Sequence, residues 1–304
     1  MKRFPLVFNF ACGAAVSVLL VSPFAFKSSA NKNTSVDSTN EWRAPQIPEQ
    51  LSFANEEVPL DRWDVKERLD RELLINAYSH ANILYLLKIS NRYFPIISER
   101  LKANGVPDDF KYLCIAESNL QSSAVSRSGA VGFWQFMDGT APGYGLEASS
   151  LVDERMDIAK STDAACKYLK QAYGKFGNWT AAAASYNCGQ GGYSGQAKFQ
   201  RTTMYYDLQL PEETNRYIYR ILAFKQILGH PELFGFRVSE AEKYNEIPYR
   251  TVTVSSSIPN LADWAIDNGT TYKMVRLMNP WIRGRSLFVR SGKSYEIKLA
   301  RKAL

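Results

Sequence analysis

One carboxylate stands where helical periodicity expects a core residue. Phe110, Leu113 and Cys114 recur at helical spacing, and Glu117 follows seven residues after Phe110 on the same stripe. A carboxylic acid held against an apolar face resists ionisation, so its pKa rises towards neutral, which is what a general acid requires. The same spacing also fits a helix end where the stripe rolls into solvent, and periodicity leaves both readings open. The residues that follow, SNLQSSAVSRSGAVGFWQFMDGTAPGYGL, mix Ser, Gly, Asn and Gln with Phe133, Trp134, Phe136, Met137 and Tyr144. Aromatic faces with amide and hydroxyl groups between them bind sugar rings, and the same aromatics equally suit a core beneath a loop. A second island, Ser185-Tyr186-Asn187-Cys188-Gly189, ends an alanine-rich helix whose small side chains allow close packing, and it could complete the same groove.

These residues need elements to hold them, and the pattern around them is helical. Leu69, Leu73, Leu74 and Ala77, then Ile83, Leu84, Leu87 and Ile97, predict helices between Trp63 and about Leu101. Asn104-Gly105-Val106-Pro107 ends that run, and Pro107-Asp108-Asp109 opens the helix of Glu117 with a helix-compatible proline and acids in the first turn. Further helices are expected over 157–176, 179–185 and 212–228. After Pro248 the pattern changes: 250–255 alternates as a strand, 260–268 and 272–277 read as helices, and 287–289 and 295–299 read as strands. The fold class expected is mainly α, with a small α+β module at the C-terminal end.

The chain has 304 residues and 37 Lys and Arg against 30 Asp and Glu, enough length for two domains with their own cores. At the N-terminus, Lys2 and Arg3 precede an uncharged run from Phe4 to Phe26, and Ser28-Ser29-Ala30 suits signal peptidase. Residues 1–30 therefore read as a secretory signal, with an uncleaved membrane anchor as the competing reading, since the run is long enough to span a bilayer. Either way the remainder is exported, to the periplasm or cell envelope. Residues 31–60 are expected to form a flexible tether, 61–240 a helical domain and 245–304 the C-terminal module. Without residues 1–30 the net charge falls from +7 to +4, a mild excess with no basic–aromatic cluster of the kind nucleic-acid binding needs. Two histidines and no close Cys/His spacing argue against a metal site, and no cofactor is expected. No Gly-x-Ser-x-Gly elbow or phosphate loop occurs, and neither histidine is linked by motif to Cys188. Cys114, Cys166 and Cys188 leave open one bridge with a spare thiol or three unpaired cysteines.

Four stretches in order resemble the motifs of the lytic murein transglycosylases: Glu117-Ser118; the run from Ser128 to Met137; Ala184-Ser185-Tyr186-Asn187-Cys188-Gly189; and Glu213-Thr214-Asn215-Arg216-Tyr217-Ile218. The likeness is to the soluble-transglycosylase-type catalytic domain, a relative of goose-type lysozyme, and covers about Tyr93 to Phe236. Asp153-Glu154-Arg155 and the added C-terminal module point to the membrane-bound type D branch. Phe133 stands where the family often has Leu or Met, and Ser185 where it usually has Ala; neither change removes a functional group.

The resemblance implies a lysozyme-like helical domain in which Glu117 is the single catalytic acid and base. It places Ser126 near the reacting sugar, makes Ser118 a substrate-binding residue next to the acid, and sets Gln135, Met137, Tyr186, Asn187 and Tyr217 along the saccharide cleft, with Tyr186 and Tyr217 orienting the saccharide and helping to hold the acid. The implied reaction cleaves the MurNAc-β-1,4-GlcNAc bond of peptidoglycan strands without water to give 1,6-anhydro-muramoyl ends, by a protein expected to act as a monomer. Hydrolysis by the same site, and a non-catalytic wall-binding role with Glu117 structural, are the alternatives. Residues 249–302 resemble the peptidoglycan-binding LysM module in Leu261-Ala262, Asn268-Gly269 and Leu277-Met278-Asn279-Pro280, but lack its usual Gly-Asp-Thr. Glycan binding and a structural cap on the catalytic domain are the two roles this leaves.

Overall fold

Among the described residues a short β-hairpin leads into six α-helices, followed by a two-stranded sheet with two short helices. The computed structural model describes residues 44–301; the expected signal or anchor and the first part of the expected tether lie outside them. The hairpin pairs β1 (Ser52–Phe53) with β2 (Glu56–Glu57), and the helices are α1 (Trp63–Ala77), α2 (His80–Ala103), α3 (Phe110–Ser118), α4 (Ile158–Phe176), α5 (Trp179–Gln200) and α6 (Glu212–Gly229). The C-terminal module runs β3 (Tyr249–Val254), α7 (Leu261–Asp267), α8 (Tyr272–Met278) and β4 (Tyr295–Ala300), with β3 and β4 antiparallel from Tyr249 opposite Ala300 to Val254 opposite Tyr295. The chain is thus mainly α with a small α+β end, as its periodicity predicts.

The helix boundaries have local causes. Asp157 caps α4 by accepting from the backbone N–H groups of Ala159 and Lys160, and Gly177 ends it in the left-handed conformation. Asn178 then caps α5 through the N–H of Ala181. The expected end of α5 near Ser185 is not where the helix stops: it turns at Gly189, where φ is +76°, and resumes to Gln200. Four glycines weaken the helical signal there, and tertiary packing overrides it: Tyr193 is fully buried against the Phe176 ring, 4.8 Å between centroids, and its hydroxyl donates to Thr203 O. The strand expected over 287–289 is reduced to one bridge between Ile258 and Leu287.

The expectation of a tether reaching to residue 60 is corrected by the hairpin. Leu51, Phe53, Ala54 and Val58 are buried in the main core, with Phe53 edge-on to Phe110 at the start of α3. Asp109, just before α3, accepts from the Ala54 N–H and from Lys225 of α6, and Lys225 also donates to Ser52 O. Glu56 caps the other end of this seam, accepting from the N–H groups of Trp179 and Thr180 at the head of α5. Apolar residues too few for a helix stripe still bury as a hairpin when helices supply the remaining wall, which sequence periodicity does not register.

The helices pack in pairs, α1 on α6, α4 on α5, α2 on α4 and α3 on α6, so the short helix carrying Glu117 lies against the helix carrying Tyr217. Trp134 and Leu113 are fully buried in that core. A second cluster joins the C-terminal module to Val131, Val152 and Met156. Cys114, Cys166 and Cys188 are free thiols, so the unpaired alternative holds. No helix among the described residues is long and apolar enough to cross a membrane.

Candidate active site

Helix α3 stops one residue after Glu117. Asn119 and Leu120 both take left-handed φ, +50° and +59°, which breaks the helix abruptly and leaves Glu117 in its last turn, half-buried, facing α6. The Tyr217 hydroxyl, on a side chain only 1% exposed, donates to Glu117 Oε1. Burial raises the Glu117 pKa to about 7; the bond from Tyr217 and the charge of Arg220 oppose that rise, and the charge of Glu213 adds to it. The stripe argument therefore resolves towards an enclosed carboxyl.

Arg220 is one turn beyond Tyr217 and holds Glu213 through two nitrogens, at 2.8 and 3.4 Å. That ion pair keeps the Glu213 pKa low. Behind it, Glu72 of α1 is 1% exposed and accepts from Arg216 Nε at 2.6 Å, with Arg220 Nε 3.7 Å away. Glu72 and Arg220 were not singled out from sequence. The signal was available for Glu72, which follows Leu69 by three positions and so lies on the core face of α1, the same anomaly that marks Glu117.

The loop after α3 folds back on itself. Val131 bridges both Val125 and Phe136, and Gly132 is pressed against Arg155: a Cβ there would lie 2.0 Å from Arg155 O. With φ at +85°, only glycine fits this position. Ser126 is exposed on the loop tip, its Oγ accepting from the Ala130 N–H. Gln135 holds a left-handed φ of +50°, and its amide nitrogen donates to Gly132 O and Ala124 O. Met137 is 42% exposed at the loop's end. Tyr186 of α5 donates to Trp134 O, and its ring packs edge-on to those of Trp134, Phe136 and Tyr168. Burial first, and then the nearby charge of Glu117, hold the Tyr186 hydroxyl well above its ordinary pKa. Asn187 accepts from the Thr214 hydroxyl at 2.8 Å, tying α5 to the start of α6.

Ser118 departs from the expectation of a substrate contact. It is buried, and its hydroxyl donates to Phe133 O at 2.8 Å and approaches Cys114 O, clipping the loop to α3. Of the other sequence-derived candidates, Glu117, Tyr186 and Tyr217 share one electrostatic environment, Ser126, Gln135 and Met137 share the folded loop, and Asn187 stands apart, tied to Thr214.

Comparisons with known proteins find likenesses that include most of this site. The family model described as Transglycosylase SLT domain matches residues 94–207. Residues 250–303 match a second model, described as Soluble lytic transglycosylase C-terminal LysM-like domain, so the two matches follow one another in the order that the motifs imply. Relatives described as membrane-bound lytic murein transglycosylase D, from Escherichia coli K12 and O6:H1, are 26% identical over 228 residues, 73% of this chain and 49% of theirs. The chain thus spans about half the length of the curated relatives it matches. Among solved structures, an inactive mutant of the lytic transglycosylase Slt from Pseudomonas aeruginosa is 23% identical over half of this chain and 26% of its own, with a TM-score of 0.39. The 70 kDa soluble lytic transglycosylase of Escherichia coli is 21% identical over 51% of this chain and 27% of its own, also at 0.39. Tyr217 lies beyond the matched SLT residues; its link to Glu117 comes from the fold.

Proposed function

We propose that the protein cleaves the MurNAc-β-1,4-GlcNAc bond of peptidoglycan without water, leaving a 1,6-anhydro-muramoyl end, with Glu117 as acid and then base. The observation that carries this reading is the Glu117–Tyr217 pair, in which burial sets a carboxyl pKa of about 7. Such a group holds a proton near neutral pH and accepts one back with little driving-force penalty. Glycosidases that work with two carboxylates use the second as nucleophile or base. Glu213, the carboxylate acting electrostatically on Glu117, is tied up by Arg220, which favours a mechanism using one.

In the first step Glu117 transfers its proton to the glycosidic oxygen as the bond to the MurNAc anomeric carbon breaks. The substrate's own N-acetyl oxygen stabilises that carbon. The Glu117 carboxylate then takes the proton of the C6 hydroxyl as that oxygen closes on the anomeric carbon, restoring the acid. An intramolecular hydroxyl with an effective molarity of about 10⁵ M or more outcompetes water in a shielded cleft. Tyr217 orients the acid, Tyr186 and Asn187 form one wall for the saccharide, and Ser126, Gln135 and Met137 form the other.

The partner is the glycan strand, and the place of action is the cell envelope. The export signal or anchor expected at residues 1–30 supports that location, as does the name of the membrane-bound relatives. The test is digestion of purified peptidoglycan by residues 31–304 and by a Glu117→Gln control, with mass spectrometry of the released muropeptides. Ends one water lighter than reducing ends, absent with the control, are expected. Reducing ends would make the protein a lysozyme, and retained sacculus binding without products would make it a wall-binding protein.

A further inference from the structure

The helical part and the LysM-like module belong to one compact unit, and the joint between them lies directly behind the cleft loop. Residues 147–156 of the helical part act as the joint. On one side they pair with the module: the Asp153 N–H donates to Trp281 O and the Arg283 N–H to Leu151 O, each at 2.8 Å, around an antiparallel bridge between Val152 and Ile282. The Glu147 carboxylate adds an ion pair with Lys293 and accepts from the Tyr295 hydroxyl at 2.8 Å. Gly284 sits so close that a Cβ there would lie 2.9 Å from the Leu151 side chain.

On the other side the same segment holds the loop. The Arg155 guanidinium clasps Asp153 through two bonds of 2.8 Å and donates to Phe136 O at 3.2 Å. Its carbonyl is the surface against which Gly132 is pressed. Val131, at the centre of the loop's pairing, is buried in the module's apolar cluster with Ile282 and Leu287, not in the main core. The loop in turn offers Phe133 O to Ser118 beside Glu117 and Trp134 O to Tyr186. The links in this path are hydrogen bonds, ion pairs, apolar packing and close steric contacts.

We propose that the LysM-like module is a fixed wall of the catalytic domain, which positions Ser126 and Gln135 through the 147–156 segment, with Ile282 and Glu147 as its positioning residues. This deepens the proposed function, resting on that reading only for its catalytic consequence. Much of the module's 281–295 face is occupied by this joint, so its first task is within the chain. A displaced loop should lower turnover even of glycans too short to reach beyond the cleft, because an error of about 1 Å in placement can cost about 100-fold in rate.

The test compares the 31–304 protein with Ile282→Ala and Glu147→Ala variants, and with Glu147→Gln as the conservative control. Hydrogen exchange reads the loop directly through the amides of Val131 and Gly132, which donate to Phe136 O and Ala124 O. Exchange there should quicken at least tenfold in Ile282→Ala while α1 and α6 stay protected, and Glu147→Gln should fall between Glu147→Ala and wild type. The kcat on a short soluble muroglycan should fall about tenfold or more, with KM changing less. Unchanged loop exchange in both Ala variants would overturn the proposal, as would a loss confined to intact sacculi with short glycans cleaved normally. Because exchange is measured without substrate, absent activity in the wild type would refute the proposed function while leaving this test intact. If Ile282→Ala does not fold, the more exposed Glu147 variants decide the matter.

Discussion

Replacing Glu117 by Gln should stabilise the protein, and by an amount that grows with pH. Gln keeps an oxygen that can accept the Tyr217 hydroxyl and keeps the volume, so the difference between the two proteins isolates the charge. Burial lifts the Glu117 pKa from 4.5 to about 7, which means that the folded state binds this proton more tightly than the unfolded chain. The sign follows: between those values the folded state holds more protons, so raising the pH weakens the wild type relative to the variant. At about 1.4 kcal/mol per pK unit the gap should be near zero at pH 4.5, grow through the interval and level off at about 3 kcal/mol above pH 7. For a chain of this size that corresponds to a melting temperature about 6–12 °C higher for the variant at pH 8. Urea denaturation of both proteins at half-unit steps from pH 4.5 to 8.5 reads the difference, and groups common to both cancel. A gap that stays constant across the range, or that favours the wild type as pH rises, would refute a buried carboxyl with a raised pKa.

Other expectations follow from the same geometry. The wild-type kcat/KM should fall as pH rises through about 7, where Glu117 loses the proton its first step requires; Tyr217→Phe removes a bond that favours the charged form, so that limb should move to higher pH while kcat drops. A pH profile of muropeptide release checks both. Glu72→Ala leaves Arg216 and Arg220 without their buried partner and should cost about 3 kcal/mol or more in chemical denaturation, with Glu72→Gln milder. Gly132→Ala places a methyl 2.0 Å from a backbone carbonyl at positive φ and should cost at least about 3 kcal/mol or prevent folding, whereas Gly129→Ala, with open space around it, should cost only about 1–2 kcal/mol. Thermal melts separate the two.

Much of the helical framework is legible because burial writes itself into a 3.6-residue period. The stripes through Leu69, Leu73, Ile83 and Leu87 appear as α1 and α2, and Asp157 and Gly177 bracket α4 with recognisable caps. What escaped is what lacks a period. The 51–58 hairpin is too short to show one, and the second half of α5 is glycine-rich and held by Tyr193 packing. The motif makes Ser118 a substrate-binding residue, yet its hydroxyl is buried and donates to the loop carbonyl of Phe133.

Spacing and side-chain identity specify the residue types that can do the chemistry and their order along the chain: one carboxyl on an apolar stripe, a loop of small and aromatic residues, and tyrosines on two later helices. Those are local properties, fixed by spacing and side-chain identity. Tertiary structure alone decided that Tyr217, a hundred positions from Glu117, meets its carboxyl, that Glu72 and Arg220 stand behind the pair, and that the C-terminal module backs the cleft loop. Contacts of that kind depend on how helix faces close over a shared core. A raised pKa needs the same closure, because an apolar stripe disfavours charge only once other elements have removed the water from it.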